Sequence, residues 1–409
     1  KEVQLRSAVR IGADHRRMTW VRHKVGDIRT IRQGATEWRC RIEADEQSPT
    51  AQVGHHSGGH PAQHDIRYSQ DSRRSINGSD RSTDNLEAIM AVIEVHGTPD
   101  YVELEALDLT PADVVHFSSN INPYGPPPSV VDAIHTLVTA EQVSTYPDRF
   151  CGRLRRKLAA HHDVPASSVL VGNGTADIMW LLAIGLLRKR RIMILGPTFS
   201  EYENVASLAE AALTVVAHPG WQRHRNEFTP SDRPLETVAA EITAANPDVV
   251  FICNPNNPTG QHLTPDEMMI LHAAAPNATW IVDEAYTDFT PSPWSAIRWI
   301  DQARWIVLRS MTKDFSLGGL RLGYLIADPA QVAELEQLQP PWNVNVVAQI
   351  AGEAALDCLA WRDETMLWQR TNVDVMREAL RAAGYAPLPT TTNFFLLPLD
   401  GLASVTRAD

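Results

Sequence analysis

The sequence predicts an α/β fold, a mostly parallel sheet covered by helices on both faces. Three observations carry that expectation. Strand-like and helix-like segments alternate along the chain from about Leu86 onward. The strand-like runs are apolar throughout rather than alternating, as strands buried on both faces require. Their ends are polar or turn-forming, which is where open α/β sheets gather their ligands.

In order, Ser168–Val171 is a short β-rich run ending in Gly-Asn-Gly. Ala176–Leu187 is an apolar helix with a solvated basic end at 188–191. Ile192–Leu195 reads as a buried strand closed by Gly196-Pro197, Glu201–Ala212 as a helix and Leu213–Ala217 as a strand. Asp248–Cys253 is a strand. Thr264–Ala274 is a helix with Thr264 as N-cap, Pro265 at its first position and Glu267 three residues on. Thr279–Val282 and Trp305–Leu308 are strands, and Leu320–Ile326 is a further short apolar run. The five polar strand ends read GNGT (172–175), GPTF (196–199), NPNNPTG (254–260), DEAY (283–286) and RSMTK (309–313).

Composition narrows the class. The 409 residues are 44% apolar and 21% charged, a globular balance that excludes a disulfide-stapled miniprotein, a collagen-like chain and a wholly disordered one. The four cysteines, Cys40, Cys151, Cys253 and Cys358, are scattered without paired metal spacing, which fits a reducing compartment. No apolar run approaches the roughly 20 residues of a membrane helix, and no secretory start is visible; a cytoplasmic location is the expectation. The net charge of -12 argues against nucleic acid as the main partner. That charge is uneven: residues 1–85 are basic and the remainder strongly acidic. Residues 54–84 are polar and glycine-rich, so 1–85 reads as a poorly ordered or atypical extension, with His55, His56 and His60 lacking placed partners for a metal.

Beyond residue 85 there are only three lysines, Lys157, Lys189 and Lys313. The first two sit in basic, solvent-like runs. Lys313 instead lies between the apolar IVL and the glycine-rich DFSLGGLRLGY. Two readings stand: a paired surface lysine, or an amine that forms a Schiff base with an aldehyde cofactor. Asp283 closes the apolar strand TWIV and is either a helix N-cap or the partner of a protonated ring nitrogen, as in pyridoxal phosphate. Tyr286 and the Asn257 amide could reach that cofactor's phenolic oxygen. Gly174 and Thr175 before an apolar helix form an ordinary turn or a phosphate cradle, which Ser310 and Arg321 could complete.

Together these residues resemble the fold-type I pyridoxal-phosphate enzymes of aminotransferase class I/II. SMTKDFSLGGLRLGY, NPNNPTG and DEAY match that family in order and spacing, and the resemblance runs from about His96 to the end of the chain. Within it, HFSSNINPYGPPPSV, YPD, GNGTADIMWLL and PTFSEYE are similar to the branch of histidinol-phosphate aminotransferase and threonine-phosphate decarboxylase. The resemblance implies pyridoxal 5'-phosphate as cofactor and a small phosphorylated amino compound as substrate. It implies a seven-stranded large domain over 126–340, an arm and small-domain start over 86–125, and a small α+β domain over 341–409.

It assigns Lys313 the Schiff base and the proton shuttle, and Asp283 the pyridine nitrogen. Asn257 and Tyr286 would take the phenolic oxygen, and Gly174, Thr175, Ser310 and Arg321 the phosphate. Tyr146 would reach the phosphate of a neighbouring subunit's cofactor, which implies a homodimer with shared active sites. Asn122 and His96 would lie near the substrate. Phe199 or Tyr202 would lie near the ring face. Family members continue past 393–399 with a strand, a helix and a carboxylate-binding arginine, so the small domain is expected to be incomplete. A transaminase is the first expectation, a decarboxylase the second, and a non-catalytic homologue the third.

Overall fold

The computed structural model describes residues 101–114 and 119–398, apart from 226 and 303, together with the backbone of two strands near the start of the chain. Those strands, β1 (Gln4–Arg10) and β2 (Met18–Lys24), pair in a two-stranded sheet of their own. They fall in the stretch expected to be atypical; the rest of 1–85, and the expected onset of order at Leu86, lie outside the described residues.

The main sheet has seven strands: β3 (Val169–Gly172), β4 (Arg191–Gly196), β5 (Ala212–Ala217), β8 (Val249–Cys253), β9 (Thr279–Asp283), β10 (Trp305–Ser310) and β11 (Gly323–Ala327). Between β5 and β8, a separate hairpin pairs β6 (Trp221–His224) with β7 (Glu227–Pro230). The order across the main sheet is β3-β11-β10-β9-β8-β4-β5. β10, β9, β8, β4 and β5 run parallel, while β11 runs antiparallel to both β10 and β3. The mostly parallel sheet is therefore as expected.

Alternation along each strand sends neighbours to opposite faces. Val169, Val171, Met193, Val250, Trp280, Val282, Trp305 and Val307 join one core. There they meet the helices Gly152–His162, Leu235–Ala245, Pro265–Ala274 and Val346–Ala355 through residues such as Leu154, Ile242, Met268 and Ala351. Leu170, Ile192, Ile194, Phe251, Ile281, Ile306 and Leu308 join a second core under the helices Gly174–Leu182, Glu201–Leu208 and Pro329–Glu336. The strands have to be apolar throughout because both faces are covered.

Three element boundaries differ from the expectation. The helix expected over 201–212 stops at Leu208, because Glu210 takes a left-handed turn (φ 52°) that swings the chain into β5. The helix expected from Ala176 starts at Gly174, and its winding widens into a π-helical turn over Ala183–Leu187. The apolar run 320–326 becomes a strand only at Gly323, after a tight turn over Gly318–Leu320 and a left-handed Arg321 (φ 58°). Thr264 caps its helix as expected: its side chain accepts from the Glu267 N–H while Glu267 reaches back to the Thr264 N–H at 2.8 Å. Among the described residues, no helix is long and apolar enough to cross a membrane.

Candidate active site

The register of the sheet assembles the site. Cys253 and Leu308 both pair with Asp283, so β8 and β9 end level and β10 runs two residues further, to Ser310. Because β11 is antiparallel, its first residue Gly323 stands beside both Ser310 and Gly172. One edge of the sheet thus carries the ends of β3, β10, β9 and β8 and the start of β11, and the predicted residues lie along it.

Asp283 is 4% exposed. Its Oδ2 accepts from the Tyr202 hydroxyl at 2.8 Å and its Oδ1 from the Ala285 N–H at 3.0 Å. Burial pushes this carboxyl up; those two hydrogen bonds and the charges of Lys313 and Arg309 pull it back, so the net shift is upward. Lys313 Nζ lies over the Tyr286 ring, 6.0 Å from its centroid, and makes no hydrogen bond or ion pair among the described residues. Burial, then repulsion from Arg321, holds its amine below the ordinary lysine value against the attraction of Asp283. A depressed, unpaired amine is what a nucleophilic lysine requires.

Tyr286 is buried, packs edge-on against Phe394 at 4.8 Å and receives the Asn120 amide at 3.5 Å. The NPNNPTG turn sorts its three asparagines. Asn254 and Asn256 are buried and fully occupied: Asn254 holds Leu263 at both ends of its amide, and Asn256 binds Thr198, Pro197 and Thr259. Asn257 is half-buried and its side chain makes no hydrogen bond among the described residues, so its amide is available.

Gly174 opens its helix at φ 80°, and a Cβ there would meet an Arg321 guanidinium nitrogen at 2.9 Å. Gly323 comes so close that a Cβ would lie 2.7 Å from the Thr175 nitrogen. Helix-start N–H groups and the Arg321 guanidinium are thereby brought together, and Ser310, hydrogen-bonded to Thr312 at 2.7 Å, stands next to Gly323 in the sheet. Such a donor-rich cradle with a steric need for glycine fits a phosphate group. With a free amine at Lys313 and a buried carboxyl at Asp283, the donor set fits pyridoxal phosphate.

Not every predicted residue joins this group. Tyr146 is 78% exposed and stacks on Trp342 at 4.4 Å. Asn122 is buried, and it binds the lysine segment rather than facing outward. Its N–H donates to the Lys313 carbonyl, and its amide donates to the Asp314 carbonyl at 3.0 Å and to Thr365 at 2.9 Å. His96 lies outside the described residues. Tyr202 reaches Asp283 with its hydroxyl while its ring stacks on Phe251 at 4.2 Å; Phe199 meets the Tyr202 ring edge-on at 5.7 Å. Cys253, level with Asp283, is pushed up to about 12 by burial and then by Asp283, so it stays a thiol. Sequence reasoning missed Arg309, Glu284 and Asp314. The signal was there: charged residues directly beside apolar strand residues demand partners.

The sequence profile described as aminotransferase class I and II matches residues 112–404. The chain belongs to that family. It is 38% identical over 274 residues to the threonine-phosphate decarboxylase of Salmonella typhimurium, covering 64% of this chain and 70% of that protein. It is 32% identical to the histidinol-phosphate aminotransferase of Moorella thermoacetica over 77% of this chain and 79% of that one. The crystal structure of the histidinol-phosphate aminotransferase from Clostridium acetobutylicum superposes with a TM-score of 0.60 at 28% identity, covering 69% of this chain and 82% of that chain. This class I/II chain has the fold its motifs implied.

Proposed function

We propose that this family member is a pyridoxal-phosphate-dependent aminotransferase acting on a small phosphorylated amino substrate, in the manner of histidinol-phosphate aminotransferase. The observation that carries the reading is the meeting of Lys313, Asp283 and the Gly174–Arg321 cradle on one sheet edge. When bound, pyridoxal phosphate supplies an aldehyde and an electron-withdrawing ring.

The chain's own residues supply the rest. Gly174, Thr175, Ser310 and Arg321 hold the phosphate, Asp283 holds a proton against the pyridine nitrogen, and Asn257 and Tyr286 orient the phenolic oxygen. Lys313 would hold the cofactor's aldehyde carbon and would be the base that moves the proton at the substrate Cα. Burial and the nearby Arg321 charge lower its basicity, which favours the neutral amine that such a transfer needs. Tyr146 serves a neighbouring subunit's cofactor, which makes the working unit a homodimer with shared sites. Residues 126–340 form the large cofactor-binding domain, 86–125 and 341–409 contribute to the small one, and the enzyme works in the cytoplasm. Asn122 steadies the Lys313 segment through its bonds to the Lys313 and Asp314 carbonyls.

A second reading, threonine-phosphate decarboxylase, is favoured by the 38% identity to the Salmonella protein. The two differ in what happens at Cα: decarboxylation loses the carboxylate and Lys313 returns a proton to Cα, whereas transamination leaves the carbonyl product.

Absorbance of the purified chain with added pyridoxal phosphate tests both. A visible band lost in Lys313→Ala, and bleached by histidinol phosphate to the aminated cofactor, supports the aminotransferase. Carbon dioxide release from threonine phosphate without lasting change in the band transfers the assignment to the decarboxylase. No band at all refutes both.

A further inference from the structure

Behind the sheet edge lies a buried ionic cluster that the proposed chemistry does not use. At its centre is Arg309, the penultimate residue of β10 and 6% exposed. Its guanidinium donates to Glu284 at 3.2 Å and to Asp288 at 2.5 Å. Asp288 is also 3.5 Å from Arg362, on the long helix Leu359–Ala382. The Asp314 carboxyl faces the same two arginines and Asp288.

The order of these residues in the chain gives the cluster its meaning. Glu284 directly follows Asp283, and Asp314 directly follows Lys313. Each residue of the proposed reactive pair is thus followed by an acid that turns away from the site and ends beside Arg309. The backbone adds a parallel tie, since the Glu284 N–H donates to the Leu308 carbonyl at 2.9 Å.

The charges nearly balance. Arg309 and Arg362 face Glu284, Asp288 and Asp314. Burial would raise Asp288, but Arg309 and Arg362 outweigh it and hold it ionised, whereas burial and the neighbouring Asp288 push Asp314 up. With Asp314 protonated these five groups sum to zero, and Arg362 also pairs with the exposed Asp363 at 3.0 Å. Tyr324 and His162 extend it: the His162 ring nitrogen lies 2.8 Å from the Tyr324 hydroxyl, and burial pushes that imidazole down to about 2, so it adds no charge.

We infer that Arg309 is a positioning residue that fixes Lys313 relative to Asp283: it grips Glu284, the acid that follows Asp283, and its charge faces Asp314, the acid that follows Lys313. It touches neither cofactor nor substrate. A buried arginine binding two carboxylates in fixed directions sets geometry as well as charge, which a lysine cannot reproduce. The inference rests on the proposed role of Lys313.

Three variants test it: Arg309→Lys, Arg309→Met, and the double change Arg309→Met with Glu284→Gln, which removes the central ion pair without stranding that partner's charge. In each apoprotein, urea unfolding reports stability. The pH midpoint of Lys313 labelling by an amine reagent, read by peptide mass spectrometry, reports its surroundings, which are Asp283, Arg321 and the Tyr286 ring. Arg309→Lys is expected to fold, to move that midpoint upward toward a solvated lysine, and to lower kcat about 100-fold while KM is largely kept. The double variant should fold with the same displaced midpoint.

Folded variants with the wild-type midpoint and kcat would overturn the inference. So would loss of folding in all three, which would make the cluster a folding element alone. A wild-type chain that binds no pyridoxal phosphate would instead overturn the proposed function, and the apoprotein midpoint would still report whether Arg309 sets the Lys313 environment.

Discussion

Changing Tyr202 to Phe removes the hydroxyl that supports a buried acid. The ring stack on Phe251 at 4.2 Å is kept, and the hydroxyl 2.8 Å from Asp283 Oδ2, which also meets the Cys253 thiol, is lost. A hydrogen bond to a charged group contributes about 1.5–3 kcal/mol, and one between neutral groups about 0.5–1.5 kcal/mol. The cost therefore depends on whether Asp283 is ionised. Its carboxyl is already raised by burial, so the folded apoprotein loses stability as pH climbs through that raised value and Asp283 must ionise inside the protein. Removing the Tyr202 donor raises the carboxyl further. The expected result is a destabilisation of about 1.5–3 kcal/mol once Asp283 is ionised, shrinking to about 0.5–1.5 kcal/mol at acid pH where both states hold the proton. Urea unfolding of the wild-type and Tyr202→Phe apoproteins across pH measures it. A cost that is flat with pH, or that grows on acidification, would refute the claim that Tyr202 supports a carboxylate.

Lys313→Met tests the same linkage with the opposite charge. Because the folded lysine sits below its ordinary 10.5, the wild-type apoprotein loses stability as pH falls through that depressed value. The variant should be the more stable of the two near neutrality, with the advantage vanishing as pH approaches 10.5 in thermal melts. Gly174→Ala places a side chain at φ 80° and against Arg321. About 1–2 kcal/mol of backbone strain, with the guanidinium displaced, should weaken pyridoxal-phosphate binding in a fluorescence titration far more than it lowers the unfolding midpoint. Leu154→Ala, fully buried far along the core face, should cost about 2–5 kcal/mol in urea unfolding and leave cofactor affinity unchanged. Thr264→Ala should cost about 1 kcal/mol, because the Glu267 N–H loses its acceptor.

The parts of the fold that sequence reached are those where one local pattern is sufficient. β8, β9 and β10 were placed to within two residues because VVFIC, TWIVD and WIVLRS are apolar runs stopped by a turn. The β6–β7 hairpin was not foreseen: WQRH and EFTP are short, mostly exposed and polar, so they carry no core signal. Lys313, Asp283 and the Gly174 turn were legible because isolated polar residues after buried strands stand out. What stayed hidden were pairings between distant segments. Nothing near Arg309 names Glu284 and Asp288 as its partners, nothing near PTFSEYE says that Tyr202 rather than Phe199 reaches Asp283, and Asn122 gives no sign that it binds Asp314 and Thr365.

The place of β3 in the sheet has a consequence for biosynthesis. Among the described residues its one strand neighbour is β11, and Gly174 meets its companion Arg321 only when the turn before β11 exists. A ribosome adding about 5–20 residues per second needs on the order of ten seconds between the two. During that time Val169–Val171, fully apolar and destined for burial on both faces, has no strand to pair with. β4, β5, β8 and β9 can associate as they emerge, but β3 must wait at the edge until the chain doubles back. Cofactor capture is therefore a late event in the life of each new chain, and the nascent VLVG segment is where a holding chaperone would be needed most.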